Sequence, residues 1–278
     1  EAVTLGYGSP PVSTKLSPKV PYSKCKYATP LTDSLVSLVC NKSTMAVLNL
    51  TDGQIESANV TGQDGKCYRP VTYDQQAYFL CESTTYTNST RQSNLYLHHY
   101  SPKTGFSPPR SIQPPDRYTL FNYGAEIKII HSDSLKENGG LLPYIAVWDS
   151  WTEINTRSEL SDHDIRVWVI GLVEGAENRP FELKVTEALG IERGLLYDVF
   201  TVDDGGKGST LYLHVHMDTE RYSPPSLVSM IISRNSSNSS DYTLIPSSQN
   251  ILIKSLPHIN GLIQYIPAIN KFLLYSVE

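Results

Sequence analysis

No stretch of this 278-residue chain approaches the roughly 18 consecutive apolar residues that a membrane-crossing helix needs. Its start, Glu1-Ala2-Val3, also lacks the basic and apolar regions of a secretory leader, so a soluble, mature or trimmed product without a membrane span is expected. Positive charge is not in excess either. The formal net charge is -5 with 18% charged residues, which removes the basic footprint of a nucleic-acid partner. Metal-binding spacings are missing: there is no CxxC and no HxxxH, and zinc sites usually bring ligands two to four residues apart. The G-x-S-x-G elbow, the P-loop and the G-x-G-x-x-G phosphate cradle are absent as well, so the commonest hydrolase and nucleotide chemistries have no motif here. No cofactor and no metal are expected, and a binding protein is favoured over an enzyme.

Long Ala/Glu/Lys/Leu runs are missing too, and Phe (6) is scarce beside Tyr (18). Together with plentiful Ser, Thr and Val, this favours strands over helices. Six N-x-S/T sequons, at Asn41, Asn49, Asn59, Asn88, Asn235 and Asn238, fall in polar, turn-like stretches. With paired cysteines they point to the secretory pathway and an extracellular location.

All four cysteines fall in two matching segments, KCKYATPLTDSLVSLVCNKST (24–44) and KCYRPVTYDQQAYFLCEST (66–84). Each carries an aspartate seven positions before its second cysteine, Asp33 and Asp74. A hairpin turning near that aspartate brings Cys25 opposite Cys40 and Cys67 opposite Cys81, which suits a cross-strand disulfide. Pairing between the loops, Cys40 with Cys81 for instance, is the alternative.

The copies are offset by 42 residues at the first cysteine and 41 at the second, the length of a four-stranded sheet unit. TMAVLNLTDGQIESANV completes the first unit and NLYLHHYSPKTGFSPPRSI the second, with turns at TDGQ and SPKTG. A third unit reads GAEIKIIHSD, LLPYIAVWDS, IRVWVIGLVEG and RPFELKVTE. The fourth reads GLLYDVFTVDD, STLYLHVHMD, SLVSMIISRNSSNSSD and YTLIPSS. A fifth holds only two strands, NGLIQYIPAIN and KFLLYSVE, while two strand-like stretches, AVTLGYG and VSTKLSP, stand unassigned at the start.

This arrangement resembles a five-bladed β-propeller whose last blade is completed by the N-terminal strands. Residues 1–24 are then strands and linker closing the last blade, of the same chain or of a neighbour, and 25–278 form the propeller body. Donation to a neighbour implies a head-to-tail homo-oligomer or filament. Two β-sandwich domains are the alternative fold.

Aligning the second strands of the five units places Asn41, Glu82, Asp149, Asp218 and Glu278 at one position, each after a short apolar run. In a propeller this position lies on the rim where ligands commonly sit. Glu82, Asp149, Asp218 and Glu278 are therefore candidate rim ligands, for a protein or carbohydrate partner, although a polar residue where a strand meets solvent explains them as well. At the preceding position Trp148, Met217 and Val277 replace Cys40 and Cys81, so apolar packing is expected to replace the staple.

His214 and His216 alternate along LYLHVHMD and with Asp218 form a conceivable metal set, but LYLHHY repeats the pattern with His98 and His99, which reads as structural histidine. SDHDIRVW (161–168) and TVDDGGKG (201–208) are acid-rich turns without the oxygen spacing of a calcium loop. The propeller resemblance also implies a second function class, glycoside hydrolysis, in which carboxylates such as Asp198, Asp149 and Glu126 face a central funnel. The leading reading is a secreted, N-glycosylated recognition, adhesion or scaffold module.

Overall fold

Segments rich in Tyr, Val, Ile, Leu and Thr, separated by Asp, Asn and Gly, fold as antiparallel meanders: branched and aromatic side chains fill a pleated surface, and the turn residues tolerate left-handed backbone. A computed structural model describes residues 2–4, 12–14, 24–60, 63–87, 90–112, 125–130, 144–149, 165–172, 181–191, 194–203, 209–217, 226–234, 242–253, 262–266 and 271–275. Among the described residues the fold is all-β, with one five-residue helix. The chain divides into two units, Glu1–Pro114 and Pro115–Glu278.

In the first unit, β1 (Ala2–Thr4) and β2 (Val12–Thr14) form an antiparallel pair. β3 (Cys25–Pro30), β4 (Leu35–Cys40), β5 (Thr44–Asn49) and β6 (Ile55–Asn59) follow as a four-stranded meander in chain order. The next sheet is built on a long hairpin, β9 (Gln76–Thr87) with β10 (Thr90–Ser101). β7 (Gln63–Cys67) and β8 (Val71–Tyr73) share the outer side of β9, while β11 (Gly105–Phe106) and β12 (Arg110–Ile112) share that of β10. Each side therefore holds one interrupted strand, and the sheet has the same four-position plan as the first.

The turns carry the residues that such backbone requires. Asp74 and Gln75 (φ 46° and 56°) close the two-residue turn between β8 and β9, and Asn41 and Lys42 (φ 50° and 68°) turn β4 into β5. TDGQ and SPKTG turn on Gly53 (φ 74°) and Gly105 (φ 72°), where the missing Cβ removes the steric penalty. The two sheets pack through Val39, Met45, Val47, Ala77, Phe79 and Tyr100. Burying a side chain the size of Phe79, which is fully enclosed, contributes about 1.5–3 kcal/mol.

The second unit repeats the plan. β13 (Ala125–Ile130), β14 (Tyr144–Asp149), β15 (Arg166–Gly171) and β16 (Phe181–Lys184) form one meander, and β17 (Gly194–Asp203), β18 (Ser209–Met217), β19 (Ser226–Arg234) and β20 (Tyr242–Ile253) another. β21 (Leu262–Ile266) and β22 (Lys271–Tyr275) form a two-stranded sheet of their own. The two meanders share a core that includes Ile130, Trp148, Val167, Leu183, Val199 and Leu213. Helix α1 (Val185–Leu189) continues directly from β16 and stops at Gly190, whose φ of 65° supplies the left-handed cap.

The strand content, the four meanders and both two-stranded pairs match the sequence reading, and these sheets fit either a propeller or a pair of sandwiches. Two elements differ from it. The strand through Cys81 does not end at Glu82 but continues to Thr87, because Thr84, Thr85, Tyr86 and Thr87 suit an extended hairpin as well as apolar residues do. RPFELKVTE bends into α1 in its second half, where Val185 packs into the core and Glu187 stays exposed.

Candidate binding surface around the two disulfides

Both disulfides close within their own hairpins. Cys25 pairs with Cys40 and Cys67 with Cys81, each bond joining residues directly opposite in the register, with Cα–Cα distances of 3.8 and 4.1 Å. The flanking backbone shows why they fit. Asn41 N–H donates to Lys24 O (2.8 Å) on one side of the first pair, and Tyr68 N–H donates to Leu80 O (3.0 Å) beside the second. Each cysteine pair therefore occupies a non-hydrogen-bonded position, where opposing side chains stand closest. The staples are also linked to one another: Cys67 N–H donates to the carbonyl of Lys42 (2.7 Å), in the turn that follows Cys40. Among the described residues no helix is long and apolar enough to cross a membrane, and two disulfides suit an oxidising, extracellular compartment.

Cations gather around these staples. Lys24 and Lys26 flank Cys25, Lys42 lies two residues past Cys40, and Lys66 and Arg69 bracket Cys67. Lys24, Lys26, Lys42 and Arg69 are exposed. Tyr27 holds two of them, with Lys26 Nζ 4.9 Å and Arg69 Cζ 5.6 Å from its ring centroid, and Lys66 Nζ stands 4.9 Å from the centroid of Tyr68. The hairpin turns remote from the staples are acidic. Asp33 lies in the β3–β4 turn, Asp52 in the β5–β6 turn and Asp74 in the β8–β9 turn, with Glu56 at the start of β6 and Lys103 the basic residue of the β10–β11 turn. Strand direction thus becomes a charge axis. The sequence carries the same asymmetry at larger scale: residues 1–114 hold ten basic and seven acidic side chains, and 115–278 thirteen and twenty-one.

Of the four rim candidates, Glu82 lies inside β9 rather than at a strand end. It is half-buried beside Leu95 and Lys66 in the register and accepts the Tyr68 hydroxyl at 2.8 Å. Asp149 is the last residue of β14, directly opposite Ala125. Asp218 and Glu278 lie outside the described residues. Trp148, in the Cys40 position, is buried in the core of the second unit as expected for apolar replacement of the staple; the side chains of Met217 and Val277 lie outside the described residues.

Three sequons can be placed. Asn41 is exposed in its turn, Asn49 Oδ1 accepts Thr51 N–H (2.9 Å), and exposed Asn59 accepts the Thr44 hydroxyl on Oδ1 (2.8 Å), which fixes the amide that a glycan would modify. Asn88, Asn235 and Asn238 lie outside the described residues.

The histidine reading follows the repeat. His98 and His214 occupy the same position of LYLH in β10 and β18, both are buried, and desolvation lowers each pKa to about 4. His99 instead stacks on Tyr78 with ring centroids 5.0 Å apart. The side chain of His216 lies outside the described residues, and among the described residues no group of three His, Cys, Asp or Glu is placed to hold a metal.

Asp198, a funnel candidate, sits where the β17–β18 register shifts. Lys128 Nζ on β13 donates to both its carboxylate oxygens (2.8 and 3.0 Å) and stands 3.7 Å from the centroid of Phe200, while Val199 N–H supplies a third bond (2.8 Å). Burial raises the Asp198 pKa, and Lys128 and the Val199 N–H oppose that shift. A carboxylate held by a lysine in this way ties the first strands of two consecutive meanders. The side chain of Glu126 lies outside the described residues.

The cationic circuit around the disulfides was not read from the sequence, although K-C-K, C-N-K and K-C-Y-R stand beside the cysteines as its signal. No family model matches the chain, and no curated protein matches it.

Proposed function

We propose that the chain is a secreted, N-glycosylated β-propeller that acts by binding, as an extracellular recognition, adhesion or scaffold module. The observation that carries the reading is the pair of hairpin disulfides in the first two sheets, flanked by the exposed cations Lys24, Lys26, Lys42 and Arg69 and by the exposed sequon Asn41. Stapling of this kind fits an oxidising compartment and holds a surface rigid, which lowers the ordering cost of docking.

The propeller is supported by four consecutive meanders of equal plan and by two two-stranded pairs whose strand count completes a fifth. Unbroken burial of Ala77–Cys81 and of residues 144–148 in central strands is what stacked blades produce, since a blade lies between two neighbours and each covers one of its faces. In this reading β1 and β2 join β21 and β22, in the same chain or in the next one.

Production in a secreting eukaryotic host tests the proposal. Recovery from the medium with both disulfides formed and sugar on at least one sequon is expected. A reduced, unglycosylated chain retained in the cell refutes it. Deleting residues 1–24 tests closure: a self-closed monomer loses stability at unchanged size, whereas a head-to-tail assembly falls apart.

The second reading, a carbohydrate-active enzyme on the same fold, rests on Asp198, a carboxyl whose pKa burial raises against the opposing pull of Lys128 and the Val199 N–H. Its test is hydrolysis of a glycan panel that disappears in Asp198→Asn. Lack of hydrolysis by the native chain removes this reading.

A further inference from the structure

Resting on the secreted reading above, we infer that the cation-bearing surface around the two disulfides of the first unit forms a docking surface for an anionic polysaccharide, a chain bearing sulfate or uronate groups. The geometry is a closed circuit rather than a scatter of surface lysines. Lys24 lies across the strand pair from Asn41, Lys42 follows in the same turn, its carbonyl receives Cys67 N–H, and Lys66 and Arg69 lead back to Tyr27, which Lys26 also faces. Lys26 Nζ and Arg69 Cζ share one ring, so they lie at most 10.5 Å apart, the sum of their two centroid distances. That spacing is close to the screening length of about 8 Å at physiological ionic strength, so these charges act on a polyanion together.

Acidic groups on this surface are few. Glu82 is engaged by Tyr68 and lies beside Lys66, Asp64 stands within β7, and the other carboxylates of these two sheets sit at the far turns. Two observations select a polysaccharide among polyanions. Of the rings that a single-stranded nucleic acid would stack on, Tyr27 already carries Lys26 and Arg69, and Tyr68 is buried. An anionic membrane is the third source of such charge, but the one large hydrophobic side chain exposed among the described residues, Ile231, lies in the other unit, so the described residues of this surface present no apolar wedge.

The test uses the full secreted chain, with disulfides and sugars mapped by mass spectrometry in the same preparation. Binding to immobilised heparin is expected, weakening as salt rises, with no binding to uncharged dextran. Lys24→Glu, Lys26→Glu and Lys42→Glu together are expected to weaken it at least about tenfold, and the three glutamine substitutions by a smaller factor. Lys103→Glu, in a turn remote from the staples, leaves it unchanged. Absence of heparin binding, an equal loss with Lys103→Glu, or binding to phosphatidylserine vesicles or an oligonucleotide as tight as to heparin overturns the inference. A chain recovered oxidised and glycosylated but not retained on heparin defeats this inference alone. A chain recovered reduced and unglycosylated defeats the secreted reading itself.

Discussion

His98 gives the chain an acid-sensitive core position whose size follows from its surroundings. The ring is buried, sits opposite Phe79 on β9 and faces Tyr96 at a centroid distance of 6.4 Å, and its Nε2 has no hydrogen-bond partner among the described residues. Desolvation alone lowers its pKa to about 4, against 6.5 in an unfolded chain. The unfolded state therefore binds a proton first as pH falls. The native state loses relative stability progressively below pH 6.5 and reaches the full loss only below about pH 4. Integrated between pH 7.5 and 5.0, the linkage amounts to about 2 kcal/mol from this one side chain. Urea unfolding of the first unit, followed by hydrogen exchange of β9 and β10 amides, measures it at the two pH values. His98→Leu keeps the position apolar and removes the titration, so its stability is expected to change by about 2 kcal/mol less over the same interval. If wild type and His98→Leu lose the same stability on acidification, the reasoning fails. His214, in the equivalent position of the second unit, gives an independent repeat of the experiment. Trp fluorescence reports that unit because Trp148, Trp151 and Trp168 all belong to it.

Replacing Cys25 and Cys40 by alanine opens a loop of sequence separation 15, and the loss expected from chain entropy is about 3 kcal/mol, or about 10–15 °C in Tm for a unit of this size; an unchanged melting temperature would refute the structural role of the staple. Tyr68→Phe removes the hydroxyl that Glu82 accepts, and a loss of about 1.5–3 kcal/mol in urea unfolding is expected, with a change below about 0.5 kcal/mol counting against the bond. Lys128→Met leaves Asp198 without its cation and raises a pKa that burial already raises. Because the folded carboxyl then binds its proton more readily than the unfolded one, the variant should regain stability as pH falls from 7 toward 4.5, read by Trp fluorescence, and Asp198→Asn in the same chain should abolish the gain.

Much of the sheet plan is legible in the residues. The spacing of Cys25, Asp33 and Cys40, and of Cys67, Asp74 and Cys81, encodes two hairpins with their register, because a turn fixed at the aspartate leaves little choice of facing residues. Gly53 and Gly105 mark turns for the plain reason that few other side chains tolerate their φ. The extension of β9 past Glu82 escaped because hydrophobic alternation is the signal for a half-buried strand, and a Thr- and Ser-rich hairpin has none. The charge axis escaped for a different reason. Lys24, Lys42 and Lys66 are scattered in sequence, and only the register brings them around the two disulfides. Asp198 is legible in the sequence only as one of three funnel carboxylates with Asp149 and Glu126, and its lysine partner, 70 residues away, is a product of packing between meanders.

The long β9–β10 hairpin has a further consequence. β7 accompanies β9 only as far as Thr84, and β12 accompanies β10 only from Leu95, so the stretch between Thr84 and Leu95 is a two-stranded ribbon with both outer flanks open among the described residues. Rows of backbone N–H and C=O groups along such flanks are templates for a foreign strand. The sequence places Arg91 on the ribbon and the sequon Asn88 between its two strands, a charge and a potential sugar where strand addition would begin. A glycan on Asn88 would then protect solubility by steric exclusion, and enzymatic removal of that sugar would turn a dispersed protein into one that associates through this ribbon.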